Sequence, residues 1–373
     1  MVKFCEIHQA AAPLEWQISE LQGGVPSAKP ERDMTNQDKA TINLKEIARQ
    51  ANAHVSTVSR VLRDDPSQRV SQEMRERIQS IARDLGYSPN IHARSLRSKK
   101  SQEICILFPQ VDNPAFIPMV QGASSACRAR GYFPYIYFAT KGEPIETALA
   151  DLHSMSHFGG FLAVTFDNNE VLLKTSRDVG SKLVLLNTRA KGGDVNCVWL
   201  NTYKAMFMLT EHLLSQGHRN IGYISGKRGG FNADERFRGF LDAHDKFGVQ
   251  PHEQVLFHAG YDYGVGEDSM RRILASGVSC SAVIVSMLTC AAGAYSVLQR
   301  NNLSVGRDIA MATLHRGVLT DALALTHVRL PTFEVGFEGA NALLDIIEEK
   351  RGHVQIQLEP IELVVRKSTT YPY

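Results

Sequence analysis

From Ser101 onward the chain repeats one pattern: a short apolar run, then an amphipathic helical stretch, then another run. The runs are Ile104–Phe108, Tyr135–Phe138, Phe161–Val164, Leu183–Leu186, Ile221–Ile224, Val255–Phe257, Ala282–Val285 and Ile309–Ala312. Helical stretches such as Ile117–Arg130 and Lys204–Gln216 lie between them. Strands this short and this uniformly apolar belong inside parallel sheets covered by helices on both faces. The pattern predicts twin Rossmann-like lobes, with ligands held in the crevice at the C-terminal ends of the strands.

The first hundred residues read differently. The net charge of the chain is +2, but it is unevenly spread. Residues 41–100 hold twelve Lys and Arg against six Asp and Glu, whereas 1–40 and 101–373 are each slightly acidic. A basic module joined to a near-neutral domain is the footprint of polyanion binding, although a solvated helical face would also account for it. With 43% apolar residues, 373 residues suit two or three globular domains. No apolar run is long enough to span a bilayer and no signal peptide is legible, so no membrane partner and a cytoplasmic location are expected. The six cysteines form no CxxC pair and have no histidine at ligand spacing, so reduced buried thiols are expected and no metal or cofactor.

Within the basic segment the apolar spacing is helical. Thr41 or Asn43 can cap a helix over Leu44–Ala51, with Leu44, Ile47, Ala48 and Ala51 on one face. Asn52, Ala53 and His54 break it. A second helix runs over Val55–Leu62 with Val58, Val61 and Leu62 inward, and a third over Gln72–Leu85, stopped by Gly86. Two short helices joined by a three-residue turn and braced by a third form a helix-turn-helix, which lays its second helix in a major groove. Val55, Ser56, Ser59 and Arg60 then point toward DNA, and Arg60 suits a forked contact to guanine. The plainer alternative is ordinary exposed residues on a small bundle.

The motifs Thr57-Val58-Ser59-Arg60-Val61-Leu62, Val70-Ser71, Gly86-Tyr87-Ser88-Pro89-Asn90 and Ala93-Arg94-Ser95-Leu96 resemble those of the lactose/galactose-repressor (LacI/GalR) family. The resemblance continues in Asp112-Asn113-Pro114-Ala115-Phe116, Gly217 to Gly226, Arg236-Phe237-Arg238-Gly239-Phe240, Leu325 to Arg329 and Val364 to Ser368. The expected architecture is an α/β chain: an N-terminal all-α helix-turn-helix DNA-binding domain, then a two-lobed periplasmic-binding-protein-like sensor domain with parallel sheets. Expected boundaries are 1–40 for an extension, 41–89 for the helix-turn-helix, 90–100 for a hinge and 101–373 for the sensor. The sensor's N-lobe is placed near 101–200 plus 332–359, and its C-lobe near 201–331 plus 360–373. The resemblance implies a homodimer that binds a near-palindromic operator and is modulated by a small molecule, a sugar or sugar derivative. Where the family has Val-Ser before the recognition helix, this chain has Ala53-His54; histidine is a poorer cap than serine, and a phosphate contact is another use for it.

The segment 90–100 is too short and too charged to hold a helix alone. The resemblance makes it a hinge helix that forms on DNA. Leu96 wedges between base pairs, Ala93 lets two such helices approach, and Arg94, Arg97, Lys99 and Lys100 meet phosphates or the minor groove. In the cleft the resemblance assigns effector contacts to Phe116, Asp167 and Arg236. Departures surround them. Met287-Leu288 stands where the family has Asn-Asp, Thr313-Leu314-His315 where it has Gly-Tyr-Asp, and Leu330 where it has glutamine. A pocket that has lost a carboxylate and amides binds hydroxyls poorly, so a plain hexose is not expected. A ligand with an anionic or apolar part, meeting Arg236, His315, Met287 and Phe116, fits better; loss of sensing is the other outcome.

Residues 1–40 precede the place where the resembled family begins. Translation from Met34, a disordered tail or a short interaction arm are the three readings. Two other functional classes fit the sequence less well. A solute-binding protein has the two lobes but neither a basic helical module nor a missing signal peptide. An enzyme would need a catalytic motif, and no phosphate loop, GxSxG elbow or HExxH stands in the sequence. With no leucine heptad near Tyr373, a dimer rather than a coiled-coil tetramer is expected.

Overall fold

The computed structural model describes residues 44–62, 70–87, 101–109, 113–140, 142–155, 157–165, 170–190 and 195–370. The expectations for Asp167, for Ala93, Arg94, Leu96, Arg97 and Lys99 of the hinge, and for the N-terminal extension fall outside them. The chain divides into two compact units, 1–91 and 92–373.

In the first unit, α1 (Leu44–Ala51), α2 (Val55–Val61) and α3 (Gln72–Asp84) enclose a core of Ile47, Ala48, Ala51, Val58, Val61, Ile78 and Ala82. The turn between α1 and α2 places Asn52 at φ 49°, a left-handed conformation that asparagine tolerates. Ser71 caps α3 by accepting from the Met74 amide. Gly86 at φ 65° ends it, with the Tyr87 amide donating back to the Ala82 carbonyl.

The second unit holds two six-stranded sheets. The first runs β11-β5-β4-β3-β1-β2, from β1 (Glu103–Phe108), β2 (Phe133–Phe138), β3 (Gly160–Val164), β4 (Leu183–Leu186), β5 (Asn196–Leu200) and β11 (Gln355–Leu358). The second runs β12-β10-β9-β8-β6-β7, from β6 (Ile221–Ser225), β7 (Leu256–His258), β8 (Ala282–Val285), β9 (Ala310–Leu314), β10 (Thr326–Arg329) and β12 (Glu362–Val364). Every pairing is parallel except β10 with β12. Successive residues of β1 feed opposite layers. Ile104, Ile106 and Phe108 pack toward α4 (Phe116–Ala129) and α12 (Thr332–Ile347), while Cys105 and Leu107 pack toward α5 (Ile145–Ser154) and α6 (Glu170–Val179). The second sheet lies between α7 (Thr202–Ser215) with α8 (Phe231–Lys246) and α9 (Tyr263–Ala275) with α10 (Leu288–Arg300).

Glycines let α4 and α12 cross closely: a Cβ on Gly122 would strike the Phe333 carbonyl, and one on Gly336 the Met119 carbonyl. The chain passes between the sheets three times, at Asn201, at Leu330–Pro331 and at 359–361. These crossings are tied together. The Asn201 amide donates to the Leu358 carbonyl at 2.8 Å, its side-chain amide to Glu359 at 3.0 Å, and the Ile361 amide to the Arg329 carbonyl at 2.9 Å. Three linked crossings at one end of both sheets form a hinge line, and the crevice at the C-terminal strand ends lies beside it.

Candidate functional sites

Three features are candidates for function: the outer face of α2, the crevice between the sheets and the free edge of β2. On α2, Ser56 and Arg60 are exposed one helical turn apart, while Val58 and Val61 anchor the opposite face. Ser59 is half-buried and engaged. Val55 is half-buried against the core, so its expected place among outward readers is shared with packing. His54 is a better cap than its residue type suggests. Its Nδ1 accepts from the Ser56 amide at 3.3 Å and lies 2.7 Å from the Ser56 hydroxyl. One imidazole thus closes the helix start and orients an outward serine.

In the crevice, Phe116 opens α4, is buried, and stacks against Phe108 with ring centroids 5.4 Å apart. Arg236 sits in the second turn of α8 and is 3% exposed; its Nη1 reaches Met287 Sδ at 3.7 Å and its Nε has no partner. Met287 leads into α10 and Leu330 lies at a crossing; both are buried. β9 runs two residues past its expected end at Ala312, so Thr313 and Leu314 are strand core rather than cleft loop. The Thr313 hydroxyl donates to the Val285 carbonyl at 2.6 Å. His315 follows at φ 67°, buried, with Nδ1 3.5 Å from the Thr332 hydroxyl across the crevice. One element had no sequence signal. Asn232 bridges the lobes, donating to the Asn187 carbonyl and meeting the Thr202 hydroxyl at 3.2 Å, and Phe231 beside it packs on the first sheet's core. The structure thus brings Phe116, Arg236, Met287, His315 and Leu330 to the same end of the two sheets.

The electrostatics of the crevice are dry. Burial, and then the nearby Arg236, push the His315 imidazole down to about 3. Burial likewise lowers His212, His218, His244, His258 and His327. Burial disfavours the charged form of each in the folded chain, whereas the unfolded imidazole protonates near 6.5, so the stability they contribute is full above that value and falls as pH drops through it. His315 alone should remove about 2 kcal/mol between pH 7.5 and 5. A urea midpoint that falls over this range is the expected result; a flat midpoint contradicts the assignment. Burial raises Cys105 and Cys290 to about 12, and such thiols are unreactive.

Among the described residues, β2 of the first sheet pairs with β1 alone. Phe133, Tyr135, Ile136 and Phe138 are 42–56% exposed, and Ile117 on the neighbouring α4 is 59% exposed. A bare edge with apolar side chains on both faces is an association surface. Among the described residues, no helix is long and apolar enough to cross a membrane and no metal-binding cluster occurs.

Comparison with known proteins accords with this geometry. Residues 101–367 match the family of periplasmic binding proteins and the sugar binding domain of the LacI family, and residues 43–90 match bacterial regulatory proteins of the lacI family. The HTH-type transcriptional regulator RegA of Clostridium saccharobutylicum is 25% identical over 88% of this chain and 99% of its own length. The HTH-type transcriptional repressor CytR of Escherichia coli (strain K12) is 26% identical over 87% and 96%. Among solved structures, a Lac repressor dimer bound to operator and the anti-inducer ONPF superposes with TM-score 0.77 at 20% identity, covering 88% of this chain and 99% of that one. A complex of the regulator CelR with cellobiose gives 0.67 at 23% identity, with the same coverage. By sequence match along both units, the chain belongs to the LacI family of bacterial regulatory proteins.

Proposed function

We propose that this chain is a sequence-specific, DNA-binding transcription regulator that acts as a dimer in the cytoplasm, as a repressor of catabolic genes. The observation that carries it is the exposed pair Ser56 and Arg60 on α2, held on a helix-turn-helix core within a family of bacterial regulators. Each protomer lays α2 in a major groove, so two copies read an inverted repeat with half-sites about one helical turn apart. Residues 90–100 form the hinge helix. Leu96 parts a base step there, Ala93 allows close approach of the partner hinge, and Arg94, Arg97 and Lys99 hold phosphates or the minor groove. A second copy of this chain covers the bare β2 edge. The Lac repressor of the same fold is a dimer on its operator, which supports that choice of occupant.

The crevice holds a small-molecule effector, and Asp167 contributes a polar contact to it. Ligand-driven opening or closing about the three crossings shifts the two N-terminal lobes of the dimer, and with them the hinges. A coupling of about 1–3 kcal/mol suffices to switch occupancy. Thr313 and Leu314 in strand core, with Met287 and Leu330 buried, leave few hydroxyl-binding groups, so a plain hexose is not the effector.

Replacing Arg60 with alanine tests the reading helix. Binding should weaken by about 1–3 kcal/mol on the preferred duplex, with preference relaxed at one base pair of each half-site. Equal weakening on every sequence would make Arg60 a phosphate contact and remove its base-reading role.

A further inference from the structure

The guanidinium of Arg236 is enclosed by protein yet meets no acid. Among the described residues it forms no ion pair, its Nε–H is unpartnered, and its Nη1 meets the soft sulfur of Met287. The ionisable groups nearest to it are Tyr223, Tyr261 and His315, and none carries a negative charge near neutral pH. A guanidinium cannot shed its proton to escape burial, so among the described residues its charge has no counter-charge. A second loose end lies across the crevice. Asn187, held at φ 59° after β4, is buried; its carbonyl takes the Asn232 amide, but its side-chain oxygen accepts from nothing. Asn232 and Arg236 stand one turn apart on α8, so the clasp and the cation move as one piece.

Resting on the reading of the crevice as the effector site, we propose that the effector is an acid. Its carboxylate or phosphate seats on Arg236 through paired N–H donors, and a neighbouring hydroxyl or ammonium group donates to the Asn187 side-chain oxygen. Phe116, Met287 and Leu330 wall the remainder. The class is therefore a sugar acid, a hydroxy acid or a sugar phosphate. Charge-assisted, forked pairing to an enclosed guanidinium is the strongest polar contact such a crevice can offer. Neutral sugars leave the cation unmet and gain little.

The test is thermal unfolding of the full chain and of Arg236→Met, which keeps an unbranched apolar stem and removes the charged end. Probes are inorganic phosphate, D-gluconate and D-glucose, at constant ionic strength set with chloride. Without probe, the variant should melt higher than wild type by several degrees, roughly 3–10 °C, because an unpaired buried charge is gone. Phosphate and gluconate should raise the wild-type midpoint and leave the variant unmoved, and glucose should move neither. The proposal is overturned by a variant that melts below wild type, by anions that act equally or not at all on the two proteins, or by a glucose shift that exceeds gluconate's. A wild-type midpoint rising with phosphate while the variant stays flat supports it even where the two start level. Operator binding is read on the same wild-type samples. Retained operator preference with a failed anion response sinks this proposal alone, whereas absent preference sinks the regulator reading.

Discussion

A protein carrying Tyr135→Asp and Phe138→Asp is expected to be monomeric and to lose operator affinity by on the order of 10²–10⁴-fold. Both side chains project from the free edge of β2, and both are more than half exposed, so the single chain keeps its fold. Four carboxylates facing one another across a two-fold interface repel, and their desolvation adds to the penalty. The loss at DNA follows from linkage. Two recognition helices on one particle bind the second half-site at high effective concentration, and separate protomers do not. Analytical ultracentrifugation and fluorescence anisotropy read the two effects. A double variant that stays dimeric at micromolar concentration with unchanged affinity would place the interface elsewhere. Far-UV circular dichroism and the melting midpoint should match wild type, which separates lost association from lost folding.

Much of this architecture was legible in the sequence. The helices of the first unit fall where the 3.6-residue spacing and the Gly86 stop put them, within a residue at each end. Eight apolar runs became strands of two parallel sheets. The strands that carry no apolar signature have physical reasons for it. β10 reads Thr-His-Val-Arg, polar by letter, yet Thr326 and His327 are fully buried, Thr326 bonded to Ser368 and Thr369 and the His327 Nδ1 to the Leu325 carbonyl. β5 begins with buried Asn196, whose amide donates to Leu183 and whose oxygen accepts from Val354, a long-range service no local pattern reveals. β11 and β12 are edge strands, where alternation is weak and burial partial.

The sites divide in the same way. Arg60 and Ser56 were legible because helical spacing alone turns them outward. The capping by His54 was not, since imidazole capping depends on a tautomer and a short reach to Ser56. In the crevice, the residue types at 236, 287, 315 and 330 were legible, but the isolation of the Arg236 charge was not. That isolation is a property of what fails to approach it among the described residues, and sequence spacing carries no information on missing neighbours. The bare face of β2 was equally hidden, because Phe-Pro-Tyr-Ile-Tyr-Phe reads as an interior strand.

Regulation by this chain stands or falls on base reading by α2. The most direct measurement is selection by the purified full-length protein from a pool of random duplexes, followed by competition of the enriched duplex against random sequence at fixed physiological salt. An inverted repeat should emerge, preferred over random competitor by at least about 10³-fold. Two protomers should bind each selected duplex, with half-sites spaced by about one helical turn. Enrichment of no sequence, with random duplexes competing as well as any selected one, would contradict it.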